Sequence, residues 1–172
     1  LLGLGTLGTQ VARIGQAFGM KVIAWSSNLH KERCAELGVE YVSTEQLVTD
    51  SDFLSIHTQL SRRTEGLIDR PEFEKMKPSA YLINTSRGYI VRESALVDAL
   101  ERGLIAGAAL DAYETEPLPL GHPLRRLPNV LSRIAECLVV GGRLAGDHDL
   151  LVLGDLPYRA RGRQVVLVHT PF

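Results

Sequence analysis

Cysteine is scarce in this chain: two residues in 172, Cys34 and Cys137, lie far apart and lack metal-ligand spacing. That argues against a disulfide-stapled scaffold and a cysteine-built metal centre, and for reduced thiols in a cytoplasmic protein. Charge of one sign is also missing. The formal net charge is −1, which provides neither a basic surface for nucleic acid nor an acidic tail. No apolar run approaches the ~20 residues that a membrane helix needs. Internal repeats are absent. What is present is a hydrophobic content of 45%, enough for one domain of ordinary size with a real core.

A strand is nearly missing too. Gly3-Leu4-Gly5-Thr6-Leu7-Gly8 reads G-x-G-x-x-G, and Thr9 to Phe18 follow in a helical pattern. Such a turn needs each glycine for a physical reason. Gly3 permits the tight strand-to-helix turn, Gly5 lets backbone approach a pyrophosphate, and Gly8 lets the helix pack close to the sheet. Anionic phosphates suit the free N–H groups of the helix start. Gly19 then stops the helix, and Met20 to Trp25 form an apolar run. Only Leu1 and Leu2 precede the glycines, so the chain reads as starting inside a domain, with unpaired backbone expected where its first strand should lie.

Further along, helices and strands alternate with short connections. Asn28 is placed to cap a helix through Leu37, ended by Gly38. Glu40-Tyr41-Val42 is strand-like, and Ser43-x-x-Gln46 forms a capping box. Phe53 to His57 is a buried-type strand, Pro71 opens a helix to Met76, and Tyr81 to Asn84 is another strand. Glu93 to Arg102 is helical and stops at Gly103. Ile105 to Leu110 is a strand rich in small residues, and Val130-Leu131 begins one more. This alternation over residues 1–131 predicts an α/β fold, a Rossmann-type doubly wound parallel sheet. Ligands bind such sheets at the carboxyl ends of the strands.

Three strand ends carry candidate chemistry. Ser26 stands where NAD-type folds place an acidic residue, roughly 20 positions after the glycines, on the adenosine ribose. A serine does not repel a 2′-phosphate, and His30, Lys31 and Arg33 follow, so both NAD and NADP fit. The same three basic residues also suit an ordinary solvated helix. Arg87, after the fourth strand, can bind a carboxylate by paired hydrogen bonds or serve a structural ion pair. Asp111, Glu114 and Glu116 lie past the next strand. An acid there can orient a histidine and raise its pKa; Glu114 reads as part of a charged loop.

In order, G-L-G-T-L-G, V-I-A-W-S, S-I-H-T, M-K-P-S-A-Y-L-I-N-T-S-R-G, G-A-A-L-D-A-Y-E-T-E-P-L-P and L-P-N-V-L resemble the nucleotide-binding domain of the D-isomer-specific 2-hydroxyacid dehydrogenases. The resemblance covers Leu1 to Leu131. It implies that Thr6 and Leu7 meet the pyrophosphate and Ser26 the adenosine ribose. Thr58, Thr85, Ser86 and Asp111 would line the nicotinamide half. Arg87 would hold the carboxylate and carbonyl of a small 2-oxo acid, and Glu116 would pair with a catalytic histidine. The family usually forms homodimers through this domain.

The resemblance fails at the histidine. The family continues with Pro-His-[Ile/Leu]-Gly, whereas this chain reads Ser132-Arg133-Ile134-Ala135, with Ala135 about where the histidine belongs. His122 lies upstream, His148 too far downstream, and His57 reads as a pocket-wall or packing residue. Residues 132–172 read as an atypical tail, with three readings open: out of frame, disordered, or a divergent but genuine extension. With the proton donor, the family's substrate domain and most of the first strand missing from this reading, the expectation for this chain is little or no dehydrogenase activity. A non-catalytic NAD(P)-binding or dimerising module, like the corepressor relatives of the family, is the alternative.

Overall fold

The structure, a computed structural model, describes residues 1–132. Helix α1 (Thr6–Ala17) starts inside the glycine turn, three residues earlier than the sequence pattern suggests. It stops where Gly19 takes φ 75°, a left-handed conformation that costs glycine little. Then follow β1 (Ile23–Ala24), α2 (Lys31–Glu36), β2 (Glu40–Tyr41), α3 (Thr44–Asp50), β3 (Phe53–Ile56), α4 (Arg70–Lys75), β4 (Tyr81–Asn84), α5 (Glu93–Glu101), β5 (Gly107–Leu110) and β6 (Val130–Ser132). Short 3-10 turns cover Gly88–Ile90 and Pro123–Arg125.

Every strand pairing is parallel: β1 with β2, and β3, β4, β5 and β6 in that order. Leu2 joins the two sets, bridging Trp25 on one side and Ile56 on the other. Its N–H donates to the Ser55 carbonyl at 2.9 Å, and its own carbonyl accepts from His57 N at 2.8 Å. Trp25 N donates to the Leu1 carbonyl at 3.1 Å, and Gly3 N to the Trp25 carbonyl at 2.8 Å. The order is therefore β2-β1-Leu2-β3-β4-β5-β6, the doubly wound α/β arrangement expected. The unpaired backbone anticipated beside the first strand does not occur at Leu1 to Gly3, because this short segment pairs with both neighbours.

Two apolar clusters hold the sheet. The larger joins Leu2, Leu54, Ile56, Leu82 and Leu110 to Leu47, Phe73, Leu96 and Leu100 from the helices. The smaller sets Leu4 and Ala12 against Ala24, Cys34 and Val39. Burial raises the pKa of the Cys34 thiol, which suits a packing residue rather than a nucleophile.

Local chemistry fixes the helix starts. Ser43 Oγ accepts from Gln46 N at 3.1 Å while Gln46 Oε1 accepts from Ser43 N at 3.2 Å, a complete capping box. Asp69 and Glu72 make a second one around Pro71. Asn28 does not cap α2; His30 holds that position without a side-chain bond. The reason is a turn closed by Leu29 N on the Ser26 carbonyl at 3.1 Å, which places Asn28 before the helix rather than at its cap. β1 is shorter than the apolar run, and Trp25 pairs with Leu2 beyond it.

Candidate functional site

The glycine turn is set by close approaches. Gly3 has φ 104°, and a Cβ there would lie 2.8 Å from Thr58 N. A Cβ on Gly8 would lie 2.2 Å from the Gly3 carbonyl oxygen. Gly5 differs: a Cβ there would meet nothing within 4 Å. It is the N-cap of α1 and no side chain caps the helix, so first-turn N–H groups lack intrahelical partners. They face an open groove lined by Leu4, Gly5, Thr6, Thr9, Gln10, Arg13 and Arg33. Thr6, in its lining, and the neighbouring Leu7 are exposed. Residues that leave a helix start uncapped, glycine-lined and open fit a dinucleotide pyrophosphate.

His57 walls this turn from β3. Its Cβ is 3.6 Å from where a Gly8 Cβ would be, and its Nε2 lies 2.8 Å from Ser55 Oγ. Burial lowers its pKa. The side chain packs against the glycine turn, the packing half of the pocket-wall or packing role anticipated for it. Ser26, half-buried, follows β1.

The other strand-end loops are tied to one another. Ser86 Oγ donates to the Thr58 carbonyl at 2.6 Å. Asn84 is 1% exposed; its Nδ2 donates to the Arg87 carbonyl at 3.0 Å and its Oδ1 accepts from Ser86 N at 3.1 Å. Asp111 N donates to the Asn84 carbonyl at 2.9 Å. Thr58, Ser86 and Asp111 are thereby linked at one end of the sheet, with Thr85 between Asn84 and Ser86. Thr85 and Asp111 are exposed. Arg87 is also exposed, with Nη1 donating to the Ser86 carbonyl at 2.8 Å. The five N–H donors of a guanidinium leave others for an anion.

Glu116 belongs to the loop after β5 and accepts from Tyr113 N at 3.1 Å. That loop is pressed onto the arginine loop at Gly88. It is also fastened to α5: Glu114 Oε1 accepts from Glu93 N at 2.9 Å, and Glu93 Oε2 accepts from Glu114 N at 3.2 Å. His122 adds a third tie, with Nε2 3.0 Å from Glu93 Oε1 and Nδ1 accepting from Leu124 N at 3.3 Å. Glu114 is therefore a structural clasp rather than a free charge in a loop, and His122 is engaged in the same clasp.

Asn84, Glu93 and Arg13 escaped the sequence reading. A polar residue ending a buried strand was the available signal for Asn84; Glu93 and Arg13 have none beyond ordinary helix positions. Ala135, His148 and the tail lie outside the described residues. Among the described residues no group of three or more His, Cys, Asp or Glu side chains could hold a metal ion, and no helix is long and apolar enough to cross a membrane.

Known proteins share this architecture. The family model described as "D-isomer specific 2-hydroxyacid dehydrogenase, NAD binding domain" matches residues 1–133. A glyoxylate reductase of Aeropyrum pernix is 42% identical over 99% of this chain and 53% of its own. A glyoxylate reductase of Korarchaeum cryptofilum is 44% identical over 99% of this chain and 54% of its own. This chain therefore spans about half the length of these relatives. Among solved structures, the NAD complexed form of a D-isomer specific 2-hydroxyacid dehydrogenase from Lactobacillus delbrueckii superposes with TM-score 0.69 at 36% identity, covering 76% of this chain and 43% of that one. A D-3-phosphoglycerate dehydrogenase-like oxidoreductase from Ralstonia solanacearum gives 0.72 at 39% identity, covering 76% and 39%. With the family model matching residues 1–133 over an uncapped glycine turn, the chain belongs to the D-isomer specific 2-hydroxyacid dehydrogenases and carries their NAD binding domain.

Proposed function

We propose that this chain supplies the cofactor-binding and substrate-orienting part of a dehydrogenase that interconverts a 2-oxo acid and a D-2-hydroxy acid. The observation that carries the reading is the gathering of the uncapped α1 start, the Arg87 loop and the Glu116 loop at one end of a parallel sheet. NAD(P)H, when bound, supplies the hydride. Gly3, Gly5, Thr6, Leu7 and Gly8 receive the pyrophosphate and Ser26 the adenosine ribose. Thr58, Thr85, Ser86 and Asp111 border the nicotinamide half. Arg87 holds the substrate carboxylate and polarises its carbonyl, and Glu116 steadies a proton-carrying imidazole.

Ala135, at the position where the resemblance calls for a histidine, supports low turnover by this chain and favours a second reading, an NAD(P)-binding or dimerising module without catalysis. Residues 1–131 would form the cofactor domain and 132–172 a separate tail, in a cytoplasmic homodimer. Titrating the chain with NADH and NADPH while following Trp25 fluorescence, and then adding glyoxylate and longer 2-oxo acids while following nicotinamide absorbance, separates the readings. Quenching with turnover supports the dehydrogenase; quenching without turnover supports the binding module. A folded chain whose tryptophan responds to neither cofactor overturns both.

A further inference from the structure

The groove beside the glycine turn carries more positive charge than a plain adenosine site requires. Arg13, two turns along α1 from Thr6, and Arg33, in the first turn of α2, both line it together with Gly5 and Thr6. The groove therefore runs without interruption from the pyrophosphate turn to two guanidinium groups. The segment that would carry a ribose-binding carboxylate reads Ser26-Ser27-Asn28-Leu29-His30-Lys31 and contains no acid. A carboxylate there accepts hydrogen bonds from the ribose hydroxyls and repels a phosphate; a serine still hydrogen-bonds a ribose hydroxyl but carries no charge to repel a phosphate.

The structure also separates the basic residues from one another. Lys31 Nζ lies 5.8 Å over the Tyr41 ring, a cation–π contact that directs it to β2. Arg33 points into the groove. Its Nη1 meets Glu36 Oε2 at 3.0 Å, with the two side chains 53% and 66% exposed. Exposed pairs of this kind are weak, and a guanidinium has five N–H donors, so Glu36 leaves an edge of Arg33 able to take a phosphate. Arg13 forms no ion pair among the described residues and lines the same groove.

From this arrangement we infer that Arg33 and Arg13 form a receptor for the 2′-phosphate of the cofactor, making NADPH the preferred nucleotide. The inference rests on the cofactor binding proposed above. Two arginines suit a phosphomonoester because paired N–H donors match its oxygens and its charge. Ser26 supplies a hydroxyl where an acid would exclude it.

The test is a fluorescence titration of the full chain, following Trp25, with NADPH and NADH, and with adenosine 2′,5′-bisphosphate and 5′-AMP as competitors. The expected result is NADPH affinity about tenfold or more above that of NADH, with the bisphosphate displacing it at lower concentration than AMP. Arg33→Gln should lower NADPH affinity about tenfold and NADH affinity by a clearly smaller factor; Arg13→Gln should act in the same direction. Ser26→Asp should reverse the preference, and its NADH binding shows that the variant is folded. NADH binding equal to or tighter than NADPH binding overturns the phosphate receptor while the cofactor reading stands. Equal loss of both nucleotides in Arg33→Gln overturns it as well. Failure of both nucleotides to bind a chain that is folded by circular dichroism overturns the cofactor reading itself.

Discussion

Gly88 lies so close to Tyr113 that a Cβ on the glycine would sit 1.9 Å from the tyrosine carbonyl carbon and 2.4 Å from Glu114 N. Backbone meets backbone here, so no flexible side chain can move aside. The contact brings the loop of Arg87 against the loop of Glu116. Gly88→Ala is expected to lower stability by about 3 kcal/mol or more, because two connections must part to admit one methyl group. Urea unfolding of the variant measures this; a change under about 1 kcal/mol would show that the loops are not packed as described.

Gly8 and Gly5 of the turn should respond differently to the same substitution. Gly8→Ala forces a Cβ onto the Gly3 carbonyl oxygen, at 2.2 Å, and should destabilise the fold by about 2 kcal/mol or more. Gly5→Ala has open space and an ordinary φ of −75°. It should fold nearly as well as the parent, yet weaken NADH or NADPH binding about tenfold or more by blocking the backbone approach to the pyrophosphate. Parallel melting curves and fluorescence titrations read both effects, and a Gly5→Ala chain with unaltered nucleotide affinity would refute the account of the turn.

Asn84 should be hard to replace. Its amide holds Arg87 and Ser86 from a position that is 1% exposed. Asn84→Ala leaves the part-buried Ser86 N–H without that partner and the Arg87 carbonyl with only Ile90 N, for a cost of about 1–3 kcal/mol. Asn84→Asp keeps the acceptor for Ser86 N but sets a carboxylate against the Arg87 carbonyl, so it should not restore stability. Thermal melts of the two variants beside the parent decide the point.

Stability should depend on His57 below neutral pH. Burial lowers its folded pKa beneath the ordinary 6.5. The unfolded imidazole therefore takes its proton at a higher pH than the folded one. Its contribution to stability is complete above 6.5 and is lost progressively as pH falls from there through the folded pKa. His57→Gln removes this dependence. The difference in unfolding free energy between parent and variant, measured from pH 8 down to about pH 5, should shrink with acid; a constant difference would contradict a neutral, half-buried ring.

The fold was readable because its signals are local. Glycine stops at Gly19, Gly38 and Gly103 take positive φ, and the Ser43 capping box forms as its spacing predicts. The glycine turn and the strand ends followed from these. What escaped depends on contacts between residues far apart in the chain. The Glu93–Glu114 exchange spans 21 positions, and neither glutamate differs locally from a solvated one. Asn28 failed as a cap because a turn on Ser26 competes with the helix start, a contest that cap preference alone does not resolve. Leu2 could satisfy both neighbours because a parallel ladder needs only hydrogen-bonding backbone at the right spot, whatever the length of the pattern around it.

The reciprocal bonds between Glu93 and Glu114 have an entropic consequence. The loop that carries Asp111 and Glu116 is held to a regular helix at two points, and His122 adds a third. Its conformational freedom is surrendered when the chain folds, before any ligand arrives. A nucleotide or acid docking at that loop has less disorder left to remove, so more of its contact energy is expressed as affinity.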